Sequence, residues 1–457
     1  MTEQSYASAR AQTWLLIVAT ALISAVAFEV LAVTTAMPTI SRALDGEQLY
    51  AFANGGALVT QLATTALTGA WVDARGPRRP LLTGLLLINT GLLICTAAPS
   101  MEVLAFGRII QGLGGGMCVV PLYVLVGKYV PPEKQSTHFA AFAAAWVLPS
   151  LVGPAIAGLL VDHAHWRWVF AIVPILIFGL MPAIFKVLGM MPSLGGTGKI
   201  DRIRPLLLPA LGAAGCALAL YLISGRQAED FTILTYVGSA AAIVGIGLFI
   251  RPLLPAGTLL SARGLPSTIT FRMVANTAFI GIDVYLPLLL QRIHGWSPTA
   301  AGATLTAGSI AWAAGSALQT RFALPSRRVA VTVTGAVILT AGMILAIPIS
   351  FPSVPPILLV GAWGLAGFGM GLAYPAVTTH ALAISDKTMQ GRTSSALQIA
   401  DTLGGSIGIA VAGILFAVVP GATPASFALT LGILAAVGSL SILAASRIAV
   451  GNVTGPK

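Results

Sequence analysis

Charge is what this 457-residue chain has least of. Lys, Arg, Asp and Glu together make up 9% of it, against roughly 25% in an ordinary soluble domain. So few charges cannot cover a water-facing surface of this size, which excludes a soluble enzyme. Cysteine is scarce too. Cys95, Cys118 and Cys216 all fall in apolar stretches, and their spacing fits neither a metal site nor a disulfide framework. They read as small packed hydrophobes. Acidic residues number only 14 against 25 Lys and Arg, a net charge of +11. What is abundant is apolar: 56% of residues, with a mean hydropathy of +0.90. Disorder requires low hydrophobicity and is excluded. A polytopic all-α membrane protein remains.

A basic balance points to nucleic acid or anionic lipid unless the charges serve topology. A membrane helix needs about 20 mostly apolar residues. Fourteen stretches meet that need: 13–37, 50–72, 80–98, 102–127, 137–161, 168–188, 205–224, 232–250, 267–291, 298–320, 329–350, 356–382, 391–419 and 424–447. The first is too long for a signal peptide and has no basic leader, so it reads as a retained helix. With both termini in the cytoplasm, cytoplasmic loops and helix ends hold 20 of the 25 Lys and Arg. Outer loops hold Arg42, Arg167, Arg226 and Arg292, and Arg108 lies within a span. This is the positive-inside bias of a membrane protein, and nucleic acid loses its support as a partner. Counted this way, cytoplasmic segments carry +15, outer loops −2 and the spans −2.

No loop is long enough for a separate domain. The segment 195–199 resembles a phosphate loop, but Ser193 stands where its first glycine belongs and Ile200 where a Ser or Thr would hold magnesium. Gly112 to Gly116 follow no strand and sit inside a span, so they form no dinucleotide motif. With no nucleotide site, no primary pump is expected, and no cofactor beyond a coupling proton.

The chain repeats itself. Gly69, Asp73, Arg75, Arg78 and Arg79 close the second span, as Gly315, Gln319, Arg321, Arg327 and Arg328 close the tenth. Gly107, Gly115 and Pro121 match Gly361, Gly369 and Pro375 at a constant offset of 254. Two related six-helix bundles, 1–188 and 267–457, joined by a linker 189–266 with two extra helices, account for both echoes. Such repeats place a substrate site at their interface near mid-membrane.

These residues also resemble a known family. Gly69-Ala70-Trp71-Val72-Asp73-Ala74-Arg75-Gly76-Pro77-Arg78-Arg79 is similar to the loop motif of the major facilitator superfamily. Leu104 to Gly114, around Arg108, is similar to its fourth-helix arginine motif. Gly153-Pro154-Ala155-Ile156-Ala157-Gly158 resembles its antiporter motif, with Pro149 and Ala157 where glycines are usual. Trp166-Arg167-Trp168-Val169-Phe170 and Glu29 resemble the 14-helix drug:proton antiporters, which usually carry Asp at the position of Glu29. The resemblance implies alternating access, with loop 73–79 as a cytoplasmic latch and Gly153, Pro154 and Gly158 sealing a helix seam. From the residues alone, Gly69 permits close helix approach, Gly76 permits positive φ, and Asp73 can cap backbone N–H groups or pair with a nearby Arg. Pro154 kinks its helix.

Charges inside the membrane carry the sharpest signal, because each costs about 2.5–3.5 kcal/mol on insertion scales. Four stand out: Glu29, Arg108, Asp283 and Asp401. At 1.5 Å per residue, Glu29 and Arg108 share a depth, roughly 13 Å inside Pro38 and roughly 10 Å inside Met101. Their bland reading is a permanent buried pair. The functional expectation is that Glu29 or Asp283 takes a proton from outside and that substrate competes for the same charge. Asn276 is expected to bond between helices, His380 to bond at a helix end, and Tyr50 to join an interfacial aromatic belt.

The expectation is a monomeric proton-coupled exporter of an amphipathic, drug-like small molecule. It would lie in the bilayer of a bacterial cytoplasmic membrane, the bacterial source suggested by 19 Arg against 6 Lys. The alternatives are a proton symporter, an exporter of a specific metabolite or lipid, and a non-transporting scaffold or sensor.

Overall fold

The computed structural model describes residues 7–191, 204–225, 232–322, 327–385, 390–419 and 422–449. The loop 195–199 and the basic residues Lys199, Arg202, Arg226, Lys387 and Lys457 lie outside them. The described residues form α1 (Ala9–Ala43), α2 (Tyr50–Arg75), α3 (Arg78–Ala97), α4 (Met101–Tyr129), α5 (Pro132–His163) and α6 (Arg167–Met190). The linker contributes α7 (Arg204–Ser224) and α8 (Ile233–Ile250). There follow α9 (Leu265–Asp283), α10 (Leu286–Ile293), α11 (Pro298–Gln319), α12 (Arg328–Ala346), α13 (Leu358–Ala383), α14 (Gln390–Val418) and α15 (Pro424–Ser446).

These helices make the fourteen expected spans. The ninth is divided into α9 and α10, which run on as one apolar stretch from Leu265 to Ile293. Pro287, in the first turn of α10, explains the division. It has no N–H to offer the carbonyl of Asp283. Among the described residues, twelve stretches are long and apolar enough to cross a membrane by composition alone. The other two spans are α2 and α11, rich in Gly, Thr and Ser. Both pack along the seams between bundles, and a helix facing protein needs less apolar surface than one facing lipid.

Helix pairing repeats between the halves. The first bundle packs α3 on α4, α2 on α4, α1 on α5 and α6, and α3 on α6. The second packs α12 on α13, α11 on α13, α9 on α14 and α15, and α12 on α15. Each pair in one half has its counterpart in the other. Small residues make the close crossings. A Cβ on Gly114 would meet the Gly84 carbonyl at 2.5 Å, and one on Gly369 would meet the Gly335 carbonyl at 2.6 Å.

Two seams join the bundles, α5 with α11 and α2 with α14. The linker helix α7 packs on both α2 and α14. Its fully buried Tyr221 donates to the Ser406 carbonyl at 2.6 Å and lies over Gly55, where a Cβ would sit 1.9 Å from the phenol oxygen. One extra helix therefore fills the second seam.

Candidate functional site

The outer end of the molecule is closed. In the orientation set by the basic residues, α1, α5 and α10 finish there and α2 and α11 begin there. Arg42 donates to Gln291 at 2.7 Å, and Arg292 forms an ion pair with Glu47. Tyr50 donates its hydroxyl to the Val284 carbonyl at 2.7 Å. The Thr299 amide donates to Asp162 at 3.0 Å, and its hydroxyl bonds the same carboxylate. Tyr50 is thus no belt residue: it is buried at 4% exposure and bonded across the bundles.

The antiporter-like motif lies in this closed region. A Cβ on Gly158 would stand 2.5 Å from the Thr299 Cα, and one on Gly302 would stand 2.3 Å from the Pro154 carbonyl oxygen. The α5 and α11 backbones meet where these glycines leave room. Pro149 and Pro154 both fall inside α5, and Gly153 faces Phe28 and Leu31 of α1 at ordinary contact distance.

The loop motif at the opposite end is disengaged. Gly76 takes the expected positive φ, 77°, and ends α2. Gly69 departs from expectation, since a Cβ there would meet nothing within 4 Å. Asp73 is exposed in the last turn of α2, where free carbonyls rather than N–H groups are presented, and it joins no ion pair among the described residues. Arg75, Arg78 and Arg79 are exposed. The outer end is thus closed, while the charged residues of the loop motif stand exposed at the other.

Between these ends lie the intramembrane charges. Glu29 of α1 and Arg108 of α4 form an ion pair at 1% and 4% exposure. Arg108 also donates to the Ala53 carbonyl at 2.9 Å and to Gln111 at 2.7 Å. Gln111 in turn donates to the second oxygen of Glu29 at 2.7 Å. Both carboxylate oxygens are engaged, and three helices close the network.

The second bundle holds a pair that the sequence did not reveal. Arg272 was assigned to the cytoplasmic end of its span. It lies seven residues inside α9, about 10 Å along the axis, at 8% exposure. Its guanidinium takes Asp401 of α14 through two nitrogens, the Nε contact being 2.8 Å. It also donates to Thr378 at 2.9 Å and stacks over Tyr374, 4.0 Å from the ring centroid. Asn276 donates to Tyr374 at 2.8 Å and to Asp401 at 3.0 Å, the interhelical role expected of it. His380 contacts the Ile448 carbonyl at 3.0 Å, near its helix end as expected. The only signal for Arg272 was its distance from the helix start, and span ends are uncertain by a few residues.

The spans therefore carry Arg108 and Arg272 against Glu29, Asp283 and Asp401, a balance of −1 instead of −2. The uncompensated charge is Asp283. It is half-buried at the end of α9, accepts from the Trp363 indole at 3.0 Å, and joins no ion pair among the described residues. Trp363 stacks on Phe279 with centroids 4.6 Å apart. Phe279 meets Trp312 at 5.4 Å, and Trp312 meets Tyr374 at 5.7 Å. A wall of four aromatic rings thus runs from Asp283 to the Arg272–Asp401 pair. The four charges read from sequence do not form one cluster. With Arg272 there are five, in two closed pairs and one open carboxyl.

Comparison with known proteins agrees with this architecture. Residues 16–188 match the family model of the Major Facilitator Superfamily. A probable multidrug-efflux transporter of Mycobacterium tuberculosis is 26% identical over 403 residues, covering 83% of this chain and 82% of that one. Multidrug transporter protein MdtP of Bacillus subtilis is 26% identical over 391 residues, covering 83% and 71%. In fold, a peptide transporter POT crystallised with sulfate superposes with a TM-score of 0.66 at 16% identity over 97% of both chains. A bacterial homologue of the lysosomal transporter Spinster, inward-facing and unoccupied, gives 0.66 at 14% over 96% and 98%. The family match falls on the first bundle, whose helix pairing the second repeats, so the chain is similar to the major facilitator superfamily. It is a multi-pass secondary transporter, similar to proteins named as multidrug transporters.

Proposed function

We propose that the protein exports amphipathic, drug-like small molecules in exchange for protons, by alternating access, with Asp283 as the coupling carboxyl. The observation that carries this reading is the contrast among three acids. A carboxylate held by arginine favours its ionised form, whereas a carboxyl without a cation in a low-dielectric site holds a proton more readily. Glu29 and Asp401 are each locked to an arginine. Among the described residues Asp283 has only an indole donor, so it is the acid placed to trade a proton for a substrate.

The aromatic wall from Trp363 to Tyr374 supports an amphipathic substrate, because ring faces bind apolar bodies and attract cations. A cation stacked there has Asp283 at one end of the wall. The efflux direction is drawn from the names of the relatives in Mycobacterium tuberculosis and Bacillus subtilis. The chain then acts as a monomer in a bacterial cytoplasmic membrane, with the proton as coupling ion and no other cofactor.

The test is proton release from purified protein in weak buffer on adding members of a panel of drugs, lipids and metabolites. A substrate that releases protons from wild type and none from Asp283→Asn supports the reading. Equal release from both contradicts it.

A further inference from the structure

We infer that Tyr50 ties the protonation of Asp283 to the outer seal between the bundles. The inference rests on the proton-exchange reading above and adds the residue through which the proton acts.

The geometry begins with Pro287. Its missing N–H leaves a break at Val284 and Tyr285, directly after Asp283. Backbone at such a break needs a partner from elsewhere. The partner comes from the other bundle. Tyr50, the first residue of α2, donates its hydroxyl to the Val284 carbonyl at 2.7 Å. Its ring lies 5.2 Å from that of Tyr285, which lies 5.2 Å from Phe416 of α14. Tyr50, Val284 and Tyr285 are all buried, at 4%, 3% and 2% exposure. The first bundle thus grips the second one residue beyond the open carboxyl.

Asp283 also occupies the last position of the 19-residue α9. A helix C-terminus is the negative end of its dipole, where an added negative charge is disfavoured. A neutral Asp283 suits the break as it stands, with Tyr50 bonded and the outer end closed. Ionisation favours a rearranged break, which releases Val284 from Tyr50 and loosens the seal. The other groups around Asp283 do not supply this response. Among the described residues, its ionisable neighbours are the phenols of Tyr50 and Tyr285. α13 brings Trp363 to it, and α11 and α15 contain no acidic, basic or histidine side chain. The Arg272–Asp401 pair lies eleven residues back along α9, about 16 Å away, and Arg292 is held by Glu47.

Coupling of this kind is reciprocal. If protonation favours the closed seal, weakening the seal must weaken proton binding. Spin labels on Gln48→Cys and Ser353→Cys, exposed outer residues of the two bundles, report the seal as a distance, with Cys95, Cys118 and Cys216 changed to Ala. The reconstituted full chain is measured across a pH series without substrate. In wild type the labels separate as pH rises. In Tyr50→Phe the midpoint is expected to fall by about half to one pH unit, the equivalent of one hydrogen bond. A tyrosine that only packs would leave the midpoint in place. In Asp283→Asn the distance is expected to stay short at every pH. An unchanged midpoint in Tyr50→Phe, with Asp283→Asn unresponsive to pH, overturns the role of Tyr50 and leaves the proton-exchange reading standing. A normal pH response in Asp283→Asn overturns both.

Discussion

The indole of Trp363 donates to Asp283 at 3.0 Å, and no cation shares that carboxylate among the described residues. The other two intramembrane acids are each held by an arginine. The intramembrane charges thus divide into framework pairs and one open charge.

The Glu29–Arg108–Gln111 network is framework. Arg108→Gln strands a buried carboxylate and is expected to cost about 3–5 kcal/mol, seen as a lower unfolding temperature in detergent. The double variant Glu29→Gln/Arg108→Gln should recover most of that loss. A double variant as unstable as the single one would show that the charges are not balancing each other.

The Arg272–Asp401 pair should behave alike. Arg272→Lys keeps the charge but loses the two-nitrogen grip and the stack on Tyr374. Lower thermal stability with an unshifted pH profile of transport is expected. A shifted profile with normal stability would move the coupling site to Asp401.

The glycines at the α5–α11 seam set how closely the bundles meet. Gly158→Val places a side chain against the Thr299 backbone, and overpacking of this kind costs about 1–3 kcal/mol. The clash arises at the closed outer seam, so the outer end should open. Faster labelling of a cysteine at the half-buried Thr299 by an impermeant reagent would register it.

The linker helix is held by Tyr221. Tyr221→Phe loses one buried hydrogen bond, about 0.5–1.5 kcal/mol, while Tyr221→Ala also opens a cavity, about 3–5 kcal/mol for an aromatic ring. Unfolding temperatures should fall in that order. Equal values for both variants would mean that α7 rests on lipid rather than on the seam.

Much of this was legible in the sequence. Fourteen apolar stretches and the repeat at an offset of 254 define the spans and their division into halves, because hydrophobic length and duplicated glycines are local properties. Glu29 and Arg108 share a depth that simple helix rise reveals. Arg272 was hidden because a charge seven residues inside a span looks like a loop charge when the helix start is uncertain. The break after Asp283 had a signal in Pro287, lost within a stretch apolar enough to read as one helix. Tyr50 looked like an interfacial tyrosine, and only the meeting of α2 with the break between α9 and α10 gives its hydroxyl a partner. Gly69 and Asp73 stand unengaged, because the role expected of them came from a family pattern and not from their own packing.

The account stands most directly on Asp283. The decisive measurement is exchange driven by a pH gradient in proteoliposomes, comparing wild type with Asp283→Asn and with a substrate found by proton release. The account predicts that Asp283→Asn folds, binds substrate and loses gradient-driven exchange. Wild-type exchange in Asp283→Asn would contradict it.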